Sequence, residues 1–138
     1  MVIFPEVLAE ELLRVARLIR RETQQRVAPL GLSPHQARAL RVIGEGGPLR
    51  PSEVAGQLGI AARSATDSIS GLVAAGYVER RTDPADGRAH LLVLSASGQD
   101  ALAEVARARA QVATELFGRL DEAERAALAA LLGTLAAG

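Results

Sequence analysis

Cysteine is absent from the 138 residues. That excludes a disulfide framework, a thiolate metal site and a thiol redox switch, and it fits a reducing cytosol without requiring one. Lysine is absent too: all sixteen cations are arginine, which reads as composition bias and not as a functional signal. Net charge is zero. Residues 1–49 carry seven Arg against five acids, residues 50–90 five against five, and residues 91–138 four against six. No segment has the basic excess that marks a nucleic-acid binder by composition, so any such binding must come from individually placed Arg side chains. Aromatics are limited to Phe4, Tyr77 and Phe117, so any pocket is mostly aliphatic. Long apolar runs are missing as well. The opening MVIFPEVLAEELLRV meets Pro5, Glu6, Glu10 and Glu11 before reaching signal-peptide or membrane-span length, and a soluble cytoplasmic protein is expected. The length suits one compact domain with its own core.

Catalytic constellations are equally scarce. Ser64, Ser68 and Ser70 fall in a helical segment, with no Gly-x-Ser-x-Gly elbow and no His at a usable spacing. No Gly-rich loop is placed to cradle a phosphate. His35 and His90 have no acids at recognisable metal-ligand spacing. The chain is therefore expected to be neither an enzyme nor a holder of metal or cofactor.

What is present is mostly helix. Leu8, Leu12, Val15 and Ile19 recur at steps of four, three and four, one apolar stripe on a long helix closed near Pro29. Ser33, Pro34 and Gln36 form a helix start, and Gly44, Gly46 and Gly47 a stop. A short helix begins near Pro51, with Val54 and Leu58 inward, and ends at Gly59; Arg50 stands at its N-cap, a poor residue there by side chain. A second helix runs from about Ala62 to Ala75. The short Gly59-Ile60-Ala61 connection between the two is the mark of a helix-turn-helix. Tyr77 to Thr82 and Ala89 to Leu94 read as hairpin strands around DPADGR. Ser95 caps a further helix with a Leu102, Ala106, Ala110, Ala113 and Phe117 stripe. Asp121 with Glu124 starts the last helix, which carries Leu128, Leu131, Leu132 and Leu135.

The helix from Ala62 has a readable outer face of Arg63, Thr66, Asp67, Ser70 and Ala74, opposite Ala65, Ile69, Leu72 and Val73. An ordinary solvated face has this amphipathic pattern too. Here, however, the outer residues are short, with one Arg near the N-terminus. Short side chains let a helix enter a major groove about 12 Å wide, and the Arg can reach base edges or phosphate. The helix start at Ala62 to Ser64 also favours a phosphate.

LSPHQARALRVI, followed by SEVAGQLGIAARSATDSISGLVAAGYVERRTDPADGRAHLLVLSASG, resembles the MarR (multiple antibiotic resistance regulator) family of winged helix-turn-helix repressors. The match spans Leu32 to Gly98, and its most specific part is D-P-x-D-x-R, an apolar strand and L-S-x-x-G, Asp83 to Gly98. The resemblance implies a mainly α fold with a small β-hairpin. Residues 1–30 and 96–138 would be dimerisation helices, and residues 32–95 the DNA-binding lobe. It further implies a homodimeric regulator, most simply a repressor, that binds double-stranded DNA at a near-palindrome. The Ala62 helix would lie in the major groove, Arg88 would enter the minor groove as the wing arginine, and Asp86 would hold that arginine. The resulting DNA-contact set is Arg63, Ser64, Thr66, Asp67, Ser70, Asp86 and Arg88. A small ligand, often aromatic, is expected between the dimer and DNA lobes, with His35 a candidate lining residue.

Two departures from the family pattern each remove a positive charge: Gly87 stands where a second basic wing residue is usual, and Asp67 where the recognition helix often carries one. Binding would then depend on few contacts. Asp67 could accept from a cytosine amino group, but a pair with Arg63 one turn earlier is the favoured reading. Arg80 and Arg81 read as flanking residues. Zero net charge and Asp67 leave one rival, a winged-helix module that binds protein.

Overall fold

The computed structural model describes residues 1–137. Its elements run α1 (Pro5–Val27), a 3-10 turn (Ala28–Leu30), α2 (Pro34–Gly46), α3 (Pro51–Leu58), α4 (Ala62–Ala74), β1 (Val78–Asp83), β2 (Asp86–Leu94), α5 (Ala96–Phe117) and α6 (Glu122–Ala136). The helix starts follow from local chemistry. Ser33 Oγ accepts from the Gln36 amide at 3.1 Å, and Gln36 Oε1 accepts from the Ser33 amide at 2.9 Å. Asp121 and Glu124 do the same at 2.8 and 2.9 Å. Such caps satisfy helix N–H groups that have no partner in the first turn, each contributing about 1 kcal/mol.

The core lies where α2, α3, α4 and the hairpin meet. Leu40, Ile43, Val54, Ile69, Leu72 and Leu92 are almost wholly removed from water there. Leu49 and Leu92 exchange two main-chain hydrogen bonds, at 2.7 and 3.2 Å, which fix the hairpin's base to the α2–α3 connection. α1 packs along α5. The Tyr77 hydroxyl donates to the Leu30 carbonyl at 3.0 Å, and the Gln24 amide group to the Leu32 carbonyl at 2.7 Å, tying the end of α1 to the helix-turn-helix.

The hairpin differs from its sequence-based expectation. β1 extends through Asp83, β2 already begins at Asp86, and only Pro84 and Ala85 turn. Pairing runs in register from Val78↔Leu94 to Thr82↔His90 and then jumps to Asp83↔Asp86. Gly87, Arg88 and Ala89 are thus left without cross-strand partners, a bulge of the kind that re-aims a side chain.

α5 also corrects the reading. Its buried seam is Gly98, Ala101, Val105, Ala108 and Val112; of the expected stripe, Ala106 and Ala110 are exposed, and Leu102, Ala113 and Phe117 are half-buried. Alanine occurs on nearly every face of this helix, so several rows look equally apolar, and only the close approach of neighbouring backbone selects one.

The apolar stripe of α1 does not enter this core. Leu8, Leu12 and Val15 are exposed and Ile19 half-buried. α6 contributes no buried residue at all: Leu128 is half-buried, while Leu131 and Leu135 are 64% and 71% exposed.

Candidate nucleic-acid interface

α3 ends in a left-handed Gly59 (φ 65°) whose amide returns to the Gly56 carbonyl at 3.2 Å. Glycine adopts this conformation without steric cost, so α3 ends there and α4 starts three residues later, packed against it. α4 rests on α2 and α3 through Ala65, Ser68, Ile69 and Leu72. Its other side presents Arg63, Ser64, Thr66, Asp67 and Ser70, all exposed. The N-cap, Ala61, has no side-chain cap to offer, so the first-turn amides stay available to an anion. Thr66 Oγ1 donates to the Ala62 carbonyl at 2.9 Å. With its proton committed, Thr66 offers a partner only an acceptor lone pair and a methyl group.

Arg63 and Asp67, expected to pair, are not joined by an ion pair among the described residues. An exposed i,i+4 pair gains only a few tenths of a kcal/mol, and cation-before-acid is the weaker orientation along a helix. Both groups are therefore free to meet a partner.

At the wing, the acid expected to hold the Arg88 guanidinium acts otherwise. Asp86 Oδ1 accepts from the Arg88 main-chain amide at 3.1 Å. It fixes the backbone of the bulge, and among the described residues no ion pair engages the Arg88 guanidinium. Gly87 is not required by the backbone either. Its φ lies outside the left-handed region, and a Cβ there would meet nothing within 4 Å. The tip is shaped by Pro84, Ala85 and the bulge.

Two side chains of this region were passed over in the sequence. Asp83, only 8% exposed, accepts from the Ala85 amide at 2.9 Å and from Arg50 Nη2 at 2.8 Å. The Ala85 amide first, and then the Arg50 guanidinium, hold its carboxyl below the usual aspartate range. The unsuitability of Arg50 as a cap was the available signal. Its backbone amide is taken by Glu53 at 2.9 Å, and its side chain crosses to Asp83 instead. Arg81 lies 3.5 Å from Glu79, and Arg80 is exposed.

His35, at the start of α2, shares a groove with α4. With Ser33, Gln36, Ile60, Ser64, Asp67 and Ser68 it lines an open groove of about 360 Å³. Among the described residues no three His, Asp or Glu side chains gather as a metal-ligand set, and no helix is long and apolar enough to cross a membrane.

Comparison with known proteins agrees with this geometry. The MarR family model matches residues 30–89. No curated protein sequence matches the chain. Among solved structures, wild-type MarR from E. coli in its apo form is 26% identical over 98% of both chains, with a TM-score of 0.85. The transcriptional regulator Tm0710 from Thermotoga maritima is 26% identical over 96% of this chain and 93% of its own, at 0.73. The transcriptional repressor CouR, solved bound to a 23-mer DNA duplex, is 27% identical over 99% of both chains, at 0.78. With the helix-turn-helix, the hairpin and the flanking helices in the order that the resemblance implies, the chain is similar in fold to the MarR-family winged helix-turn-helix regulators, whose family model it matches over residues 30–89.

Proposed function

We propose that this protein is a homodimeric, sequence-specific DNA-binding regulator of transcription, acting as a repressor released by a small ligand. The observation that carries the reading is the combination of two exposed features: the short-side-chain face of α4, and an Arg88 guanidinium on a bulged tip that no ion pair engages among the described residues. α4 lies in the major groove with Arg63, Ser64, Thr66, Asp67 and Ser70 toward the bases and backbone. Arg88 enters the adjacent minor groove, where narrow A·T-rich tracts concentrate negative potential. Asp86 serves by fixing the Arg88 backbone. The solved duplex complex of CouR supports the same use of a similar chain.

Residues 1–30 and 96–138 supply the dimer interface, and residues 32–95 the DNA-binding lobe. Exposed apolar side chains on α1 and α6 amount to a surface that a soluble monomer rarely leaves uncovered, and a second copy buries it. Two-fold symmetry then sets half-sites about one helical turn apart. An effector seated in the His35 groove would touch Ser64 and Asp67, and so compete with DNA on the recognition face.

Arg88→Ala is expected to weaken binding to a selected duplex by roughly 1–3 kcal/mol and to lower the salt slope by about one unit. Fluorescence anisotropy across a salt series reads both. Wild-type affinity in the variant removes Arg88 from the interface and overturns the wing assignment. The converse change is open as well. A basic residue fits at position 87 without strain, so Gly87→Arg is expected to tighten binding and raise the slope by about one unit. An unchanged slope would place the tip away from the DNA.

A further inference from the structure

We propose that Arg50 and Asp83 form a latch that sets the position of the wing relative to the recognition helix. The pair are thus positioning residues for DNA recognition, an inference that rests on the DNA-binding reading above. The Arg88 guanidinium has no ion-pair partner among the described residues, and Asp86 is spent on the backbone. The bulge and Asp86 set Arg88 within the tip, so where the tip itself points depends on how the hairpin as a whole is held. One anchor is the Leu49–Leu92 main-chain pair. Leu92 lies opposite Arg80, and the strand continues three residues beyond that point before the turn. Held only there, the tip can swing.

Asp83 stops the swing. It ends β1, is almost buried, and divides its carboxylate between two partners. One oxygen takes the Ala85 amide of the turn, and the other takes Arg50, thirty-three residues earlier. Arg50 is the N-cap residue of α3, and α3 packs on α4. A continuous path of contacts thus runs from the wing tip through Asp83 and Arg50 to the helix that reads the major groove. The pair is asymmetric in exposure, with side chains 45% and 10% exposed for Arg50 and Asp83. The carboxylate is thereby sheltered from salt more than an ordinary surface ion is. It also leaves Arg50 neutralised by a partner, so its place is structural and not on a phosphate.

The test is a double-mutant cycle on the full-length protein, using a duplex obtained by selection from random DNA. Arg50→Gln and Asp83→Asn, the latter keeping an acceptor for the Ala85 amide, are each expected to weaken binding roughly three- to tenfold. In an Arg88→Ala background neither should cost anything further, because the contact they position is already gone. Arg50→Lys should retain most of the affinity. Hydrogen exchange at the Ala85 and Arg88 amides should quicken in both charge variants while α4 stays protected, which separates a displaced wing from an unfolded lobe. If Arg50→Gln weakens binding equally with and without Arg88, Arg50 acts on DNA or on α3 directly and the latch is wrong. Wild-type affinity in both variants also overturns it, while leaving the DNA reading intact. A wild-type protein that selects no duplex overturns the DNA reading, and the latch's role in recognition with it.

Discussion

Replacing Leu131 and Leu135 together by Asp is expected to leave a folded monomer that no longer grips a two-half-site duplex. Neither side chain belongs to the core: both are well exposed, and α6 buries no residue within the protomer. The fold of residues 32–95 should therefore survive. In a dimer closed by α1 and α6, however, the new carboxylates would sit in apolar surroundings without partners. An unpaired buried charge costs several kcal/mol, and breaking a buried interaction in this way typically removes about 3–5 kcal/mol. A loss of that size raises the dimer dissociation constant by roughly a hundredfold to several thousandfold. Sedimentation equilibrium at micromolar concentration reads the change, with DNA affinity falling in parallel. A double variant that remains dimeric would place the interface elsewhere.

Gly98→Ala is expected to be the most damaging single-methyl change in the chain. A Cβ at this position would lie 1.9 Å from the Tyr77 carbonyl oxygen and 2.9 Å from its carbon, both backbone atoms with no flexible end to move aside. The closeness is built by the residues around it. The Ser95 amide donates to the Tyr77 carbonyl at 3.0 Å, and Ser95 Oγ accepts from the Gly98 amide at 3.0 Å. The Ser95 and Ser97 hydroxyls both donate to the Gly76 carbonyl, and Gly76 itself turns with φ 81°. The start of α5 is thus pressed onto the α4–β1 turn. This gives the L-S-x-x-G part of the motif a physical meaning: the serine caps the helix, and the glycine lets it approach. Overpacking of this kind costs about 1–3 kcal/mol where side chains can yield, and a backbone clash belongs at or beyond the upper end. Thermal unfolding at fixed protein concentration should show a midpoint lower by roughly 10 °C. A midpoint within about 2 °C of wild type would mean that the α5 start is not held as tightly as the hydrogen bonds indicate.

The parts of this structure legible from sequence are those set by local chemistry. Ser33 with Gln36, Asp121 with Glu124, and Ser95 each satisfy backbone groups within three residues of themselves, so the sequence places those helix starts correctly. Gly59 marks the turn before α4 for the same reason. The outer face of α4 was legible because helical spacing separates it cleanly from Ala65, Ile69 and Leu72. What failed depends on distant partners or on near-equal alternatives. No local pattern links Arg50 to Asp83. Asp86 stands two residues before Arg88, a spacing equally suited to its guanidinium and to its amide, and the bulge decided for the amide. The α5 seam was hidden by alanine on every side. Arg63 and Asp67 had the spacing of a pair but too little energy to hold one against solvent.

The central claim is that this neutral chain reads DNA through one helix face and one guanidinium. The decisive experiment is selection of bound duplexes from a random pool with the full-length wild-type protein. Enrichment of a near-palindrome is expected, with half-sites about one helical turn apart and A·T-rich steps where the wings reach the minor groove. A pool that stays random through successive rounds, with the protein folded and dimeric throughout, would contradict it.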